Sequence, residues 1–268
     1  MPKIILNSFQ VKEGHCPHSL GAQSISKYCE NRGYEVELVS SPLGVKQSVE
    51  NILSLDPIVC GLSSNYVTEP HITEIARIIK QEREDKTFVI IGGPSVTYSS
   101  NQSKIRKSDA DIFVKGYGEE AFYQILKNTP KSILEGKIKI PGVSTKNFSN
   151  ESMASVDLSS LSSLFPLGFE TDHVYWETAR GCAFSCIYCA HPGQKNQFEY
   201  IPFERIIKEA DYLADKRFRA VYITDPILGG KKDRSKEILK LLKKLNGSFI
   251  TAEYHPIAKD VSISPYLA

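Results

Sequence analysis

Residues 58–94 read IVCGLSSNYVTEPHITEIARIIKQEREDKTFVIIGGP, and this stretch decides the fold. It contains two apolar runs of strand length, Ile58–Ser63 and Thr87–Gly92, and neither shows the polar alternation of a strand with one solvated face. Between them, Glu69–Glu84 carries apolar residues at helical spacing. These residues are Ile72, Ile75, Ala76 and Ile79. The stretch therefore predicts two parallel strands, buried on both faces and joined by a helix.

The same alternation continues on both sides of this unit. Three more apolar runs of strand length are Lys3–Phe9, Glu35–Val39 and Asp111–Lys115. Three more segments with helical spacing are Ser19–Arg32, Val45–Leu53 and Glu119–Lys127. Because strands and helices alternate throughout, residues 1–130 are predicted to form an open, doubly wound α/β domain of Rossmann or flavodoxin type.

Length and composition predict two soluble, globular domains. The chain has 268 residues, of which 41% are hydrophobic and 24% charged, and its net charge is +2. This near-neutral charge gives no support for a nucleic-acid partner. The apolar run before Asn7 is too short for a secretory signal, and no apolar stretch approaches the ~20 residues of a membrane span. We therefore expect a cytoplasmic protein without a membrane partner.

Small residues dominate four loops that would follow the strands of the first domain. They are 14–21, Ser63-Ser64-Asn65, Gly92-Gly93-Pro94 and Gly116-Tyr117-Gly118-Glu119-Glu120. In open α/β sheets, ligands bind at the carboxyl ends of the strands, and glycine lets the backbone approach a ligand without a clash from Cβ. Each loop taken singly also fits an ordinary turn, but together they favour a binding site. Residues 131–172 lose the periodicity and are rich in Ser, Asn, Pro and Gly, so they are predicted to be a linker.

Three of the six cysteines, Cys182, Cys186 and Cys189, lie within eight residues of one another, directly after a predicted strand. In a chain without a secretory signal, this spacing favours metal binding or redox chemistry over disulfides. Thiolates select iron–sulfur clusters or zinc. His191 is a candidate fourth zinc ligand, although one intervening residue is tighter than zinc loops usually have. An iron–sulfur cluster and a zinc site both fit the thiolates, and the close spacing of the cysteines argues against three unligated thiols.

Residues 1–130 resemble the cobalamin-binding domain that precedes the catalytic barrel in many radical S-adenosylmethionine (SAM) enzymes. The resemblance is carried by His18-Ser19-Leu20-Gly21, Gly61-Leu62-Ser63, Gly92-Gly93-Pro94 and 116–120. It implies a cobalamin site at His18, Ser63, Ser64, Gly92, Gly93, Pro94, Gly116, Gly118 and Glu119. Other cobalamin proteins have an aspartate where this chain has Cys16, and that aspartate orients the cobalt-binding histidine. His18 is therefore expected to line the loop or begin a helix more readily than to bind cobalt.

The stretch Arg180-Gly181-Cys182-Ala183-Phe184-Ser185-Cys186-Ile187-Tyr188-Cys189 resembles the signature of the radical SAM superfamily. The resemblance, which continues through residue 255, implies that the three cysteines hold a [4Fe–4S] cluster whose open iron binds SAM. It further implies that Tyr188 packs by the adenine and that Asp225 and Glu253, at the ends of the next two strands, contact SAM. Core packing for Tyr188 and a surface position for Glu253 are equally compatible with the residues.

Residues 173–268 would form the first part of a radical SAM (β/α) barrel. About 95 residues supply about three β/α units at roughly 31 residues each, whereas the family's barrel usually has six. The chain is therefore expected to be a fragment or to need a partner chain that completes the barrel.

The resemblance implies a cobalamin-dependent radical SAM enzyme, most often a methyltransferase that acts on an unactivated carbon of a small molecule or peptide. An electron donor of flavodoxin or ferredoxin type would reduce the cluster. The alternatives are a rearrangement or ring-forming enzyme with the same cofactors, a cobalamin-binding module without activity, and, more remotely, a zinc-binding interaction protein.

Overall fold

The computed structural model describes residues 3–9, 17–41, 44–98, 104–150, 152–184, 186, 189 and 198–253. They form two compact units, the first extending to Asp157 and the second beginning at Leu158. None of the helices in these ranges combines the length and apolar character that crossing a bilayer requires.

The first unit is built on a six-stranded sheet. Its strands are β1 (Lys3–Phe9), β2 (Glu37–Ser41), β3 (Pro57–Ser63), β4 (Phe88–Gly92), β5 (Ile112–Val114) and β6 (Val143–Thr145). Their order in the sheet is β2-β1-β3-β4-β5-β6. The first five strands are parallel, and β6 pairs with β5 in the antiparallel direction.

Helices cover both faces of this sheet. They are α1 (Leu20–Glu30), α2 (Val45–Ser54), α3 (Glu69–Arg83), α4 (Pro94–Thr97), α5 (Gly118–Asn128) and α6 (Pro130–Leu134). Side chains alternate along a strand, so β1 contributes to two cores. Leu6 packs in the core that includes Phe122 of α5, whereas Ile5 packs in the core that includes Ile75 of α3. The unit is thus a three-layer α/β structure with a parallel, Rossmann-like core, as the sequence predicts.

The strand order predicts where this sheet would bind a ligand. The chain winds to one side of β1 to form β2 and to the other side to form β3, so the connections diverge between β1 and β3. In doubly wound sheets of order 2-1-3-4-5, ligands bind at this switch point, outside the carboxyl ends of the strands. The residues that directly follow β3, β4 and β5 lie at this edge.

The structure differs from the linker interpretation for residues 131–157. This segment contributes α6 and the edge strand β6 to the first unit. Beyond β6, the chain stays attached to the end of β5: Ala154 N donates to Lys115 O (2.8 Å), and Tyr117 N donates to Ala154 O (2.9 Å). Backbone pairing with β5 orders a segment whose composition resembles a loop.

The second unit contains a three-stranded parallel sheet in the order β11-β10-β7. Its strands are β7 (His173–Trp176), β10 (Ala220–Ile223) and β11 (Phe249–Thr251). The short strands β8 (Ala179–Arg180) and β9 (Glu199–Tyr200) form a separate antiparallel pair. Helix α7 (Phe203–Lys216) precedes β10, and α8 (Lys232–Leu242) precedes β11. The three parallel strands are those expected before the cysteine motif, before Asp225 and before Glu253, whereas closure into a barrel stays a prediction.

A buried carboxylate ties the second unit together. Glu209 of α7 accepts hydrogen bonds from Trp176 Nε1 (2.8 Å), Ser163 Oγ (2.6 Å) and Arg205 Nε (2.7 Å). Its three partners come from β7, from the segment before that strand and from α7 itself. This arrangement fixes α7 against β7, which leads directly into the cysteine loop.

Candidate functional site

At the carboxyl edge of the first sheet, the loops after β3 and β4 cross in close backbone contact. Ser64 N donates to Gly92 O (2.9 Å), and Ser95 N donates to Ser64 O (3.1 Å). Gly93 has φ +97° and ψ −174°, a conformation that is essentially restricted to glycine. A Cβ at Gly93 would lie 2.6 Å from Ser64 O. Gly93 is therefore needed for the crossing itself.

Buried polar atoms without a partner lie at this edge. Ser64 Oγ, Ser95 Oγ and Asn7 Nδ2 have no hydrogen-bond partner within the described part of the chain. Asn7 is paired in register with Leu62 near the carboxyl end of β3, and Ser64 and Ser95 belong to the loops after β3 and β4 that are joined by backbone hydrogen bonds. Buried polar atoms are normally satisfied by protein, water or ligand. These three atoms therefore fit a site that accepts the polar part of a ligand.

Several predicted cobalamin residues have contacts within the protein that explain their identity. A Cβ at Gly116, where φ is +98°, would lie 2.4 Å from Ala154 O, and one at Gly118 would lie 2.5 Å from Ile25 Cδ1. Glu119 is buried and accepts a hydrogen bond from Ser24 Oγ (2.6 Å), which links α5 to α1. Ser63, Gly92 and Gly93 are half-buried, and Pro94 is exposed. The structure thus brings the residues after β3 and β4 together, whereas the residues after β5 pack internally.

His18 is half-buried just before α1. Its carbonyl accepts from Gln23 Nε2 (3.0 Å), and the next residue, Ser19, caps the helix by accepting from Ala22 N (3.2 Å). Burial lowers the pKa of the His18 imidazole, which favours the neutral form. Cys16, the departure from the aspartate pattern, lies outside the described residues.

None of the three clustered cysteines of the second unit takes part in a disulfide. Cys182 and Cys186 are half-buried and Cys189 is exposed. Cys189 N donates to Cys186 O (3.0 Å), so the last two belong to one turn. Within the described ranges, no group of three or more His, Cys, Asp or Glu side chains is close enough to hold a metal ion. The donor chemistry fits a soft-metal cluster, but the thiols are not gathered around a common point.

The ends of the cysteine segment are held by the β8–β9 pair. Ala179 pairs with Tyr200 and Arg180 pairs with Glu199, so the chain leaves and returns at the same place. Arg180 Nε also donates to Glu177 Oε1 (2.9 Å). The predicted residues Tyr188 and His191 lie between these strands, outside the described residues.

The structure places Asp225 and Glu253 in different environments. Asp225, after β10, is 1% exposed and accepts hydrogen bonds from Thr178, Ala179 and Gly229. Burial raises the pKa of its carboxyl group, and these hydrogen bonds oppose the rise. Glu253 is exposed, and its carbonyl accepts from Leu228 N (2.8 Å).

Two residues that contact this site were missed by sequence reasoning. Thr178 precedes the cysteine motif and is fully buried against Asp225. Arg234 of α8 donates from Nη2 to Thr178 O (3.1 Å) and Ile201 O (2.7 Å). The position of Thr178, four residues before Cys182, is a signal that could have been used. Nothing in the local sequence distinguishes Arg234 from the other basic residues of its helix.

Comparisons with known proteins agree with the architecture. Residues 11–126 match the family model of the B12 binding domain. The chain is 25% identical over 209 residues to the 2-(S-pantetheinyl)-carbapenam-3-carboxylate methyltransferase of Streptantibioticus cattleyicolor, which covers 69% of this chain and 29% of that protein. It is 26% identical over 174 residues to an uncharacterised methyltransferase of Pyrococcus horikoshii, which covers 60% of this chain and 38% of that protein.

The fold is also similar to solved structures. The radical SAM methyltransferase TsrM from Kitasatospora setae, with cobalamin and a [4Fe–4S] cluster bound, superposes with a TM-score of 0.73 at 18% identity. The match covers 100% of this chain and 59% of TsrM. The cobalamin-dependent SAM radical enzyme OxsB gives 0.68 at 20% identity and covers 96% of this chain and 40% of OxsB. The chain thus spans less than two thirds of each of these proteins, and at these identities the likeness shows the fold.

Proposed function

We propose that this chain binds cobalamin with its first unit and a [4Fe–4S] cluster with the cysteine loop of its second. The reaction is a radical SAM methyl transfer to an unactivated carbon of a small molecule or peptide. The observation that carries the proposal is that one chain contains both a match to the B12 binding domain and three free thiols on one loop. Neither feature alone distinguishes this class from other cobalamin proteins or other thiolate metal sites.

The first unit would hold cobalamin at the carboxyl edge of its sheet. Ser64, Ser95 and Asn7 offer the buried polar atoms that lack partners among the described residues, and they would bind the polar groups of the cofactor's nucleotide tail. The half-buried Ser63 and Gly92 would line the mouth of the crevice. When bound, cobalamin supplies a cobalt centre that carries a methyl group. His18 would lie beside the cofactor as a neutral side chain without binding cobalt.

The second unit would hold the cluster through Cys182, Cys186 and Cys189. When bound, a cluster with three protein ligands supplies an open iron for SAM and the electron that cleaves it. Tyr188 is proposed to pack by the SAM adenine and Glu253 to reach its ribose or amine. The parallel strands β7, β10 and β11 would form the beginning of a (β/α) barrel. A flavodoxin or ferredoxin would donate the electron.

The substrate class follows from the relatives and not from a residue of this chain. TsrM has been solved with tryptophan and a SAM analogue bound, and another relative is named as a methyltransferase of a carbapenam carboxylate. These names support a small polar molecule as methyl acceptor, and a peptide is the second candidate. We propose that segments beyond the residues described here select among such acceptors.

Anaerobic purification with iron and sulfide tests the proposal. We expect about four iron atoms per chain and the release of 5′-deoxyadenosine from SAM after reduction. Cys186→Ala should lose both, whereas Cys29→Ala, which removes a buried thiol of the first unit, should keep both. A colourless zinc protein would refute the cluster assignment. Failure to bind cobalamin would refute the assignment of the first unit.

The reaction type has a separate readout. Methyl transfer consumes a second SAM, so S-adenosylhomocysteine should accumulate together with 5′-deoxyadenosine. A rearrangement or ring closure would give 5′-deoxyadenosine alone. Detection of 5′-deoxyadenosine without S-adenosylhomocysteine, with cobalamin bound and an acceptor being consumed, would therefore contradict the methyltransferase assignment and keep the radical chemistry.

A further inference from the structure

The N–H, the hydroxyl and the carbonyl of Thr178 all make hydrogen bonds. It is fully buried and lies two residues after β7, at the point where the chain enters the cysteine motif. Its N–H donates to Asp225 Oδ1 (2.7 Å), and its hydroxyl donates to Asp225 Oδ2. Its carbonyl accepts from Arg234 Nη2 (3.1 Å) and from Ile201 N (3.2 Å). Asp225 therefore accepts hydrogen bonds from both donors of Thr178, and Arg234 donates a hydrogen bond to its carbonyl.

The carboxylate of Asp225 is saturated by protein donors. Besides the two groups of Thr178, it accepts from Ala179 N (3.0 Å) and from Gly229 N (3.1 Å). An ionised carboxylate offers about four lone-pair sites, so these four donors fill it. No acceptor site is left for the amino group of a ligand. The contact between Asp225 and SAM that the resemblance implies would therefore have to displace one of these four protein donors.

Arg234 binds the carbonyl of Thr178 and connects it to the chain after β9. Its Nη2 bridges Thr178 O and Ile201 O, one on each side of the β8–β9 pair. The guanidinium also lies over the rings of Tyr200 (5.1 Å) and Phe203 (5.3 Å). Burial lowers the pKa of Arg234, while the nearby Asp225 raises it. Arg234 therefore links the residues that begin and end the cysteine segment.

We propose that Asp225 and Arg234 are positioning residues for the cysteine loop, acting through Thr178. The inference rests on the proposed cluster function. Because the three described thiols are not gathered around a common point, they must be brought together to bind a metal, and fixing the chain that carries them costs conformational entropy. Fixing the origin of the loop four residues before Cys182 lowers this cost and determines the direction from which the first thiolate arrives.

Matched substitutions test this role. Asp225→Asn keeps the shape but turns an NH2 group toward the N–H of Gly229, so two donors face each other. Thr178→Val removes only the hydroxyl donor, and Thr178→Ser restores it. Asp233→Asn is the control, because Asp233 is an exposed acid of the same unit. The fluorescence of Trp176, the only tryptophan, verifies that each variant is folded.

Two measurements are made on the full chain. The first is amide hydrogen exchange over residues 172–183 in the metal-free protein, and the second is the rate at which a chelator removes iron from the reconstituted protein. In Asp225→Asn and Thr178→Val we expect both rates to rise roughly tenfold, the effect of about one buried hydrogen bond. Thr178→Ser and Asp233→Asn should stay within about twofold of the wild type. If Asp225→Asn does not fold, the comparison of Thr178→Val with Thr178→Ser tests the positioning role.

The outcomes separate this inference from the proposed function. If the wild type binds iron and Asp225→Asn retains it equally well with unchanged exchange, the positioning role is wrong and the function stands. If Asp225→Asn changes neither rate but weakens SAM binding, Asp225 contacts SAM and the positioning role is overturned. If the wild type binds no iron, the proposed function falls. Exchange then decides alone whether Asp225 anchors the loop: faster exchange supports the anchor, and unchanged exchange refutes it.

Discussion

Replacing Gly93 by alanine should destabilise the first unit strongly. The residue has φ +97° and ψ −174°, a region that costs a non-glycine residue about 1–3 kcal/mol. The new Cβ would lie 2.6 Å from Ser64 O and 3.1 Å from Ser64 N, both backbone atoms that can move only if the loop after β3 moves. Forcing a methyl group into a packed site costs a further ~1–3 kcal/mol. We expect a loss of about 3 kcal/mol in the free energy of unfolding.

The neighbouring glycine provides the control. A Cβ at Gly92 would lie 3.7 Å from Val114 Cβ and Val114 O, which is ordinary van der Waals contact, and Gly92 has no positive φ. Gly92→Ala should therefore change stability by less than ~1 kcal/mol. Urea unfolding followed by far-UV circular dichroism compares the two variants with the wild type. Equal stabilities for Gly93→Ala and Gly92→Ala would show that the crossing of the two loops does not depend on Gly93.

Three further predictions concern titratable groups. Because the pKa of His18 is lowered in the folded chain, the unfolded chain takes up a proton first on acidification, and the free energy of unfolding should fall as the pH drops below about 6.5. His18→Gln should flatten this part of the profile of stability against pH. An unchanged slope in the variant would contradict the prediction. Glu209→Gln should destabilise the second unit by about 1–3 kcal/mol and shift the emission of Trp176, because Glu209 accepts hydrogen bonds from Trp176 and Arg205. Unfolding followed by Trp176 fluorescence measures both effects. Emission and stability equal to those of the wild type would show that these hydrogen bonds do not stabilise the unit. Burial raises the pKa of Cys29 to about 12 and also raises that of Cys60. A thiol reagent at pH 8 should therefore leave both thiols unmodified in the native chain and modify both in urea. Rapid labelling of the native chain would disprove their burial.

Most of the first unit is predictable from the sequence because its strands are buried on both faces. Such strands give continuous apolar runs, and the run Lys3–Phe9 coincides with β1. The edge strand Val143–Thr145 was not found, because three residues with polar members carry no detectable period. Its existence depends on pairing with β5, which lies about 30 residues earlier, and such pairing cannot be derived from local composition.

The candidate site was predictable in residue type and less so in contacts. Gly93 and Gly116 are predicted to bind the cofactor, but a glycine needed for a ligand and one needed for a close backbone contact give the same signal in the sequence. The structure shows close backbone neighbours at both positions. Asp225 was identified by its place after a strand, whereas its bond to Thr178 spans 47 residues and depends on the parallel register of β7 and β10. Only the folded chain reveals that partner.

The central position of β1 has a consequence for synthesis on the ribosome. β1 is made before both of its neighbours in the sheet, β2 and β3. Helix α1 is tied to α5 through Ser24 with Glu119 and Tyr28 with Glu120. At about 5–20 residues per second, the 98 residues between the end of α1 (Glu30) and the end of α5 (Asn128) take roughly 5–20 s to synthesise. During that interval the face of α1 that packs against α5 has no α5 to cover it, so we expect this part of the unit to fold only after α5 has been made, and a chaperone could bind the uncovered face until then.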